Sequence, residues 1–175
     1  MNVYSYAQIG YEGVIVRVET SLRRGLPGTQ IVGLPGGAVR EARERVRAAI
    51  RSSGFRYPQE RVLTNLAPAG LKKSGAAFDL AIALSILSEA GLIRLPGWAD
   101  DSVDGRELSV LVLGELELSG GVRPVRGVLA ATAEAVKAGI HHCIIPEGNV
   151  AEALAISDAV VMGIDHLRSF LEIDD

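Results

Sequence analysis

Asn65-Leu66-Ala67-Pro68-Ala69-Gly70-Leu71-Lys72-Lys73-Ser74-Gly75-Ala76-Ala77-Phe78-Asp79-Leu80 reads as the end of a strand over 61–66, a loop of Gly, Pro and Lys, and the start of a helix over 76–90. The helix places Leu80, Ile82, Ala83, Leu84, Ile86 and Leu87 around most of its circumference with few charges. A helix apolar on nearly every side belongs in the middle of a core. A strand that feeds a glycine loop at a helix N-terminus can hold anions on free N–H groups. The same junction is a place for a nucleophile.

Upstream, residues 3–18 predict two strands turned at 10–13. Val14, Val16 and Val18 alternate with Ile15, Arg17 and Glu19, the period of a strand exposed on one face. Residues 23–28 form a loop and 29–34 a short β-branched strand. Pro35-Gly36-Gly37 opens a helix over 38–52 that Gly54 closes. Val39, Ala42, Val46, Ala49 and Ile50 line one stripe of it, and Arg40, Arg43, Arg47 and Arg51 line the next, with Glu41 and Arg45 spaced for an intrahelical pair. Such an arginine stripe either meets phosphates or an acidic partner, or forms a solvated face whose stems cover apolar surface.

Downstream, 94–106 predicts an exposed loop anchored by Trp98, 109–113 a strand, and 114–125 a strand and hairpin turning at Ser119-Gly120-Gly121. A helix over 128–138 ends at Gly139, and the strand over 141–145 stops at Pro146. Asn149 with Glu152 predicts a capping box on a short helix. A last strand over 159–163 precedes a terminal helix capped by Asp165. Alternating strands and helices make the fold α/β, with antiparallel pairing in the hairpins and one domain over 1–175.

Composition narrows the function classes. The 175 residues carry a net charge of −3, which gives no general argument for nucleic-acid affinity. Basic residues nevertheless crowd the first half, while acids gather at 100–107 and 172–175. No run reaches the roughly 18 apolar residues of a membrane span, and residues 1–10 are not a secretory signal, so the expected location is cytoplasmic. One cysteine, Cys143, excludes an internal disulfide and reads as a buried thiol. Neither 33–37 nor 70–75 matches a phosphate-binding loop, and there is no G-x-S-x-G elbow. His141 and His142 point to opposite faces of a strand, and His166 stands apart, so no metal site is expected.

Gly25-Leu26-Pro27, Ile31-Val32-Gly33-Leu34-Pro35, Arg45-Val46-Arg47-Ala48-Ala49-Ile50, Asn65-Leu66-Ala67-Pro68-Ala69, Phe78-Asp79-Leu80-Ala81-Ile82-Ala83-Leu84, Gly114-Glu115-Leu116 and Pro124-Val125-Arg126-Gly127 resemble the N-terminal domain of the magnesium-chelatase-like ComM/YifB family of AAA+ ATPases. That resemblance implies an ATPase module downstream, which would hold the ATP and Mg, hexameric assembly, and DNA branch migration in natural transformation. No cofactor is implied for residues 1–175.

The second half also resembles the proteolytic domain of Lon, whose fold is shared with the second domain of a small-subunit ribosomal protein and with the C-terminal domain of RadA. Alignment with Lon puts the nucleophilic serine on Ala77 and the dyad lysine on Leu129. A Ser–Lys mechanism needs a hydroxyl and a proton-accepting amine, and these two residues supply neither.

The expected role is a silent accessory domain. Arg23, Arg24, Arg40, Arg43, Arg47, Lys72, Lys73 and Arg126 are its candidates for contact with DNA or a neighbouring subunit. Two other classes stay open. One is a residual peptidase pairing Ser74 with Lys72 or Lys73, which are expected to lie solvated on the loop. The other is an interaction module that docks through Phe55, Trp98 or the glycine loops.

Overall fold

The structure, a computed structural model, describes residues 1–33, 35–73, 75–94, 98 and 107–171. In chain order these are β1 (Asn2–Ile9), β2 (Glu12–Arg23), β3 (Gly28–Val32), α1 (Gly37–Ser52), β4 (Arg61–Ala67), α2 (Asp79–Glu89), β5 (Ser109–Val112), β6 (Glu115–Leu116), β7 (Val122–Arg123), α3 (Val128–Lys137), β8 (His142–Pro146), α4 (Val150–Ala153) and β9 (Val160–Ile164). Seven strands make one sheet in the order β3-β4-β2-β1-β5-β8-β9, and β6 with β7 forms a separate small hairpin. Antiparallel pairs join β1 to β2 and β2 to β4; all other neighbours in the large sheet run parallel.

Period-two patterning sorts the sheet into two faces. Val3 and Ala7 of β1 with Val16 and Val18 of β2 point into the larger core, under α1 and α2. Tyr4, Tyr6 and Ile15 point the other way and pack on a second cluster built by α3, β8 and α4. The face expected to be exposed is therefore partly covered at this strand. Leu80, Ile82, Leu84, Ile86 and Leu87 have no accessible surface, which places α2 between the sheet and α1 as its all-round apolar sequence requires.

Several boundaries differ from the sequence reading. The central helix begins as a 3₁₀ turn over Ala76–Phe78 and becomes α-helical at Asp79. β2 continues to Arg23, because β4 pairs with it as far as Arg61. Helix α1 ends in a Schellman arrangement: Gly54, at φ 94°, donates to Arg51 O, and Phe55 donates to Ile50 O.

Asn149 stands at the N-cap position of α4 and its Nδ2 donates to Glu152 Oε1 at 2.5 Å, but it makes no side-chain bond to the helix backbone. Its side chain also bonds both the N–H and the C=O of Val125, at 2.9 Å each, and ties the β7–α3 connection to α4. The last turn, Leu167–Phe170, is 3₁₀ and is capped by His166, not Asp165: the ring Nδ1 accepts from Arg168 N at 3.0 Å. Of the loop expected over 94–106, Arg94 and Trp98 are described and the rest lies outside the described residues, as do Ser74 and 172–175. Trp98 is buried and its ring lies 4.8 Å from that of His142.

Candidate functional site

Where β4 hands over to α2, a buried ion pair fixes the geometry. Asp79 opens α2 with no exposed surface, and Arg45 of α1 grips it with two bonds, Nε to Oδ2 at 2.9 Å and Nη2 to Oδ1 at 3.0 Å. Leu116 N donates to the same carboxylate at 3.2 Å, and Arg45 Nη2 also donates to Ala38 O. Burial pushes the Asp79 carboxyl above its ordinary value, while Arg45 and the Leu116 N–H pull it down. The hydrogen bond to Asp79 in turn raises the Arg45 guanidinium. Among the described residues three N–H donors meet the carboxyl, an arrangement that favours its ionised form against burial. Leu80 N bonds to Gly114 O, and Gly114 N to Ala77 O, both at 3.0 Å, so the mouth of α2 is held to the β5–β6 connection as well.

In front of this mouth lies a cleft of about 520 Å³, lined by Tyr6, Ala7 and Gln8 of β1, by Gly75, Ala76 and Ala77, by Glu115, and by 124–127. Ala77, the residue onto which the alignment with Lon puts the serine, lines this cleft. Leu129, on the first turn of α3, is exposed and does not line the cleft. Among the described lining residues there is no serine, threonine, cysteine, histidine or lysine. Arg126 lies here, apart from the other basic candidates.

The two loop lysines part company, which overturns the expectation that both are solvated. Lys72 is exposed. Lys73 has no accessible surface, and its ammonium donates to Gly33 O at 2.9 Å and to Pro68 O. Its backbone also bridges to Pro35 and accepts from Gly36 N at 2.6 Å. Lys73 therefore latches the loop before α2 to the entry of α1 and is not available for a phosphate. Burial lowers its pKa, which alone would make the amine more nucleophilic, but access decides reactivity at a sealed site. An acetylating ester applied to the native chain is expected to modify Lys72 about 100-fold faster than Lys73. Peptide mass mapping checks this, and equal rates would mean that the latch is open.

The arginines split into groups. Arg40 and Arg43 of α1 share a hollow of about 640 Å³ with Gln30 and Ile31 of β3. Arg24 lies along the same strand in a second hollow, of about 390 Å³, with Leu26, Gln30 and Arg61. Arg23 is exposed at the end of β2, opposite Arg61. Arg47 instead covers an aromatic ring: its guanidinium lies 5.8 Å from the centre of Tyr57, with Arg51 at 6.0 Å. Arg43 pairs with Glu44 at 3.2 Å.

Phe55 and Trp98, expected as docking residues, are both buried and present no docking surface. Cys143 is sealed in the second core cluster and burial pushes its thiol up to about 11. Sequence reasoning paired Arg45 with Glu41, which stands 3.9 Å away, and missed Asp79. The available signal was an aspartate opening an otherwise apolar helix, a position that burial makes costly unless a cation meets it.

The fold is α/β, a mixed sheet packed with helices, and the distant similarity to Lon proteases is consistent with it. At the sequence level the chain is 27% identical to Lon protease 1 of Hydrogenovibrio crunogenus over 160 residues, 87% of this chain and 18% of that protein. Residues 18–149 match the family described as Subunit ChlI of Mg-chelatase, and the chain belongs to this magnesium-chelatase-like family. It is 40% identical to competence protein ComM of Haemophilus influenzae over 157 residues, 89% of this chain and 29% of that protein. It is 37% identical to Escherichia coli YifB over 173 residues, 97% of this chain and 32% of that protein. The chain spans about a third of the length of these two relatives.

Proposed function

We propose that the chain is a non-catalytic accessory domain of a ComM/YifB-type AAA+ ATPase, acting in DNA processing through contact with DNA or through assembly of the ring. The observation that supports the silent role is that Ala77, the residue onto which the alignment with Lon puts the serine, lines the cleft at the mouth of α2. The methyl group of Ala77 neither attacks a carbonyl nor accepts a proton. In this reading ATP and Mg are held by an ATPase module downstream, the working assembly is a homo-hexamer, and its process is branch migration during natural transformation. The printed name of the Haemophilus relative, a competence protein, supports that process.

The DNA arm draws on the arginines with free heads. Arg23, Arg24 and Arg40 are exposed, and among the described residues none of them meets a carboxylate. Lys72 and Arg126 add exposed cations, Arg126 at the cleft before α2. Labelled single-stranded and duplex DNA, titrated with the 175-residue chain, separates the two arms. DNA contact predicts an affinity that falls about ten-fold or more between roughly 50 and 200 mM salt, and a further loss in Arg24→Ala/Arg40→Ala. Absence of binding at low salt leaves assembly alone. Sedimentation of the chain together with its downstream module then tests that arm.

A further inference from the structure

β3 is a border of the sheet. β4 runs parallel along one side of it, and among the described residues no strand lies along the other. A border strand points one set of its backbone N–H and C=O groups outward, and folds commonly blunt such edges with proline or an inward charge. Gly28–Val32 contains neither. Val32 is 37% exposed and Leu26, just before the strand, is 89% exposed.

The two hollows beside β3 meet at Gln30 and follow the strand along its length. Arg24, Arg40, Arg43, Arg45 and Arg61 line them, against Glu41 and Glu44. Arg45 is committed to Asp79 and Arg43 to Glu44. Among the described residues Arg61 bonds the Gln30 side-chain oxygen, at 3.1 Å, and Arg24 and Arg40 meet no carboxylate. The trough is thus an open strand edge with unspent positive charge on both sides.

We propose that an extended acidic peptide segment of a partner protein adds beside β3 as an eighth strand, its carboxylates meeting Arg24, Arg40 and Arg61 and its apolar face meeting Ile31 and Leu26. Main-chain pairing supplies the affinity of such additions, and alternate side chains supply the specificity. DNA offers phosphates to the same arginines but has no peptide groups to pair with the strand edge. The edge therefore selects a peptide. This inference goes beyond the accessory role proposed above and gives Arg24 and Arg40 to a peptide where the DNA arm gives them to phosphates.

An amide NMR titration of the 175-residue chain with a short synthetic peptide alternating Glu and Val tests it. The expected result is saturable shifts and slowed hydrogen exchange centred on residues 28–32. The Lys–Val counterpart should bind about ten-fold or more weakly, and Arg40→Ala/Arg61→Ala should lose about ten-fold. Three results would overturn the proposal: equal binding by a Glu–Val peptide interrupted by proline, absence of saturable shifts at about 1 mM peptide, or single-stranded DNA moving the same strand amides at lower concentration than the peptide. The last would give the trough to nucleic acid.

Discussion

Arg45→Met lowers the unfolding free energy by about 3 kcal/mol near pH 8, and the loss shrinks as the solution is made acidic. The variant keeps the length of the stem but removes the guanidinium that bonds both oxygens of Asp79. Asp79 has no exposed surface, so its carboxylate is left buried with the Leu116 N–H as its remaining partner. Burial already raises this carboxyl above the ordinary 3.8, and loss of the cation raises it further. A carboxyl whose folded pKa lies above its unfolded value favours folding while protonated. That contribution is complete below 3.8 and is lost as pH climbs through the raised folded value. The variant is therefore weakest relative to the parent at high pH and recovers toward pH 4. Arg43→Met, on the same helix, removes an exposed pair with Glu44 and changes stability by no more than about 0.5 kcal/mol. Urea titrations at several pH values decide the matter, and a loss for Arg45→Met that is independent of pH would mean that Asp79 does not bear the cost.

That pair also marks the limit of what the sequence discloses. Periodicity located β2, α1 and α2, because each element shows one apolar face or, for α2, an apolar circumference, while the glycine that ends α3 marked that helix. The junction was legible too: β4, a glycine loop and the buried helix α2 follow one another in the structure as in the reading. What escaped were polar groups whose partners are distant in the chain. Asp79 and Arg45 are 34 residues apart, and Lys73 reaches Gly33 across 40. Local rules see only the neighbours of a residue, so they return a solvated lysine and an intrahelical arginine pair. Asn149 shows the same limit at shorter range: its expected partner Glu152 is met, but the backbone of Val125, 24 residues away, takes its other bonds. The arginine stripe divided for a related reason: Tyr57, beyond the end of α1, captures Arg47 and Arg51 and leaves Arg40 free.

Gly33→Ala is expected to cost about 4 kcal/mol or more. Gly33 holds φ 96°, a backbone conformation that strains any residue with a Cβ. Its own Cβ would stand 2.1 Å from Leu66 O and 2.8 Å from Leu66 C, atoms of the neighbouring strand that cannot rotate aside. β3 must then part from β4 just past the Val32–Asn65 pairing. The carbonyl that accepts from Lys73 moves with it, so the loop before α2 is released at the same time. Gly37→Ala, four residues on, is the control. It is exposed, lies in the first turn of α1 and would meet no atom within 4 Å, so it gains about 0.5 kcal/mol from a less flexible unfolded chain. Opposite shifts of the urea midpoint in the two variants are the expected result. Near-equal midpoints would place Gly33 away from Leu66 and dismantle the junction that connects β3, β4 and the mouth of α2.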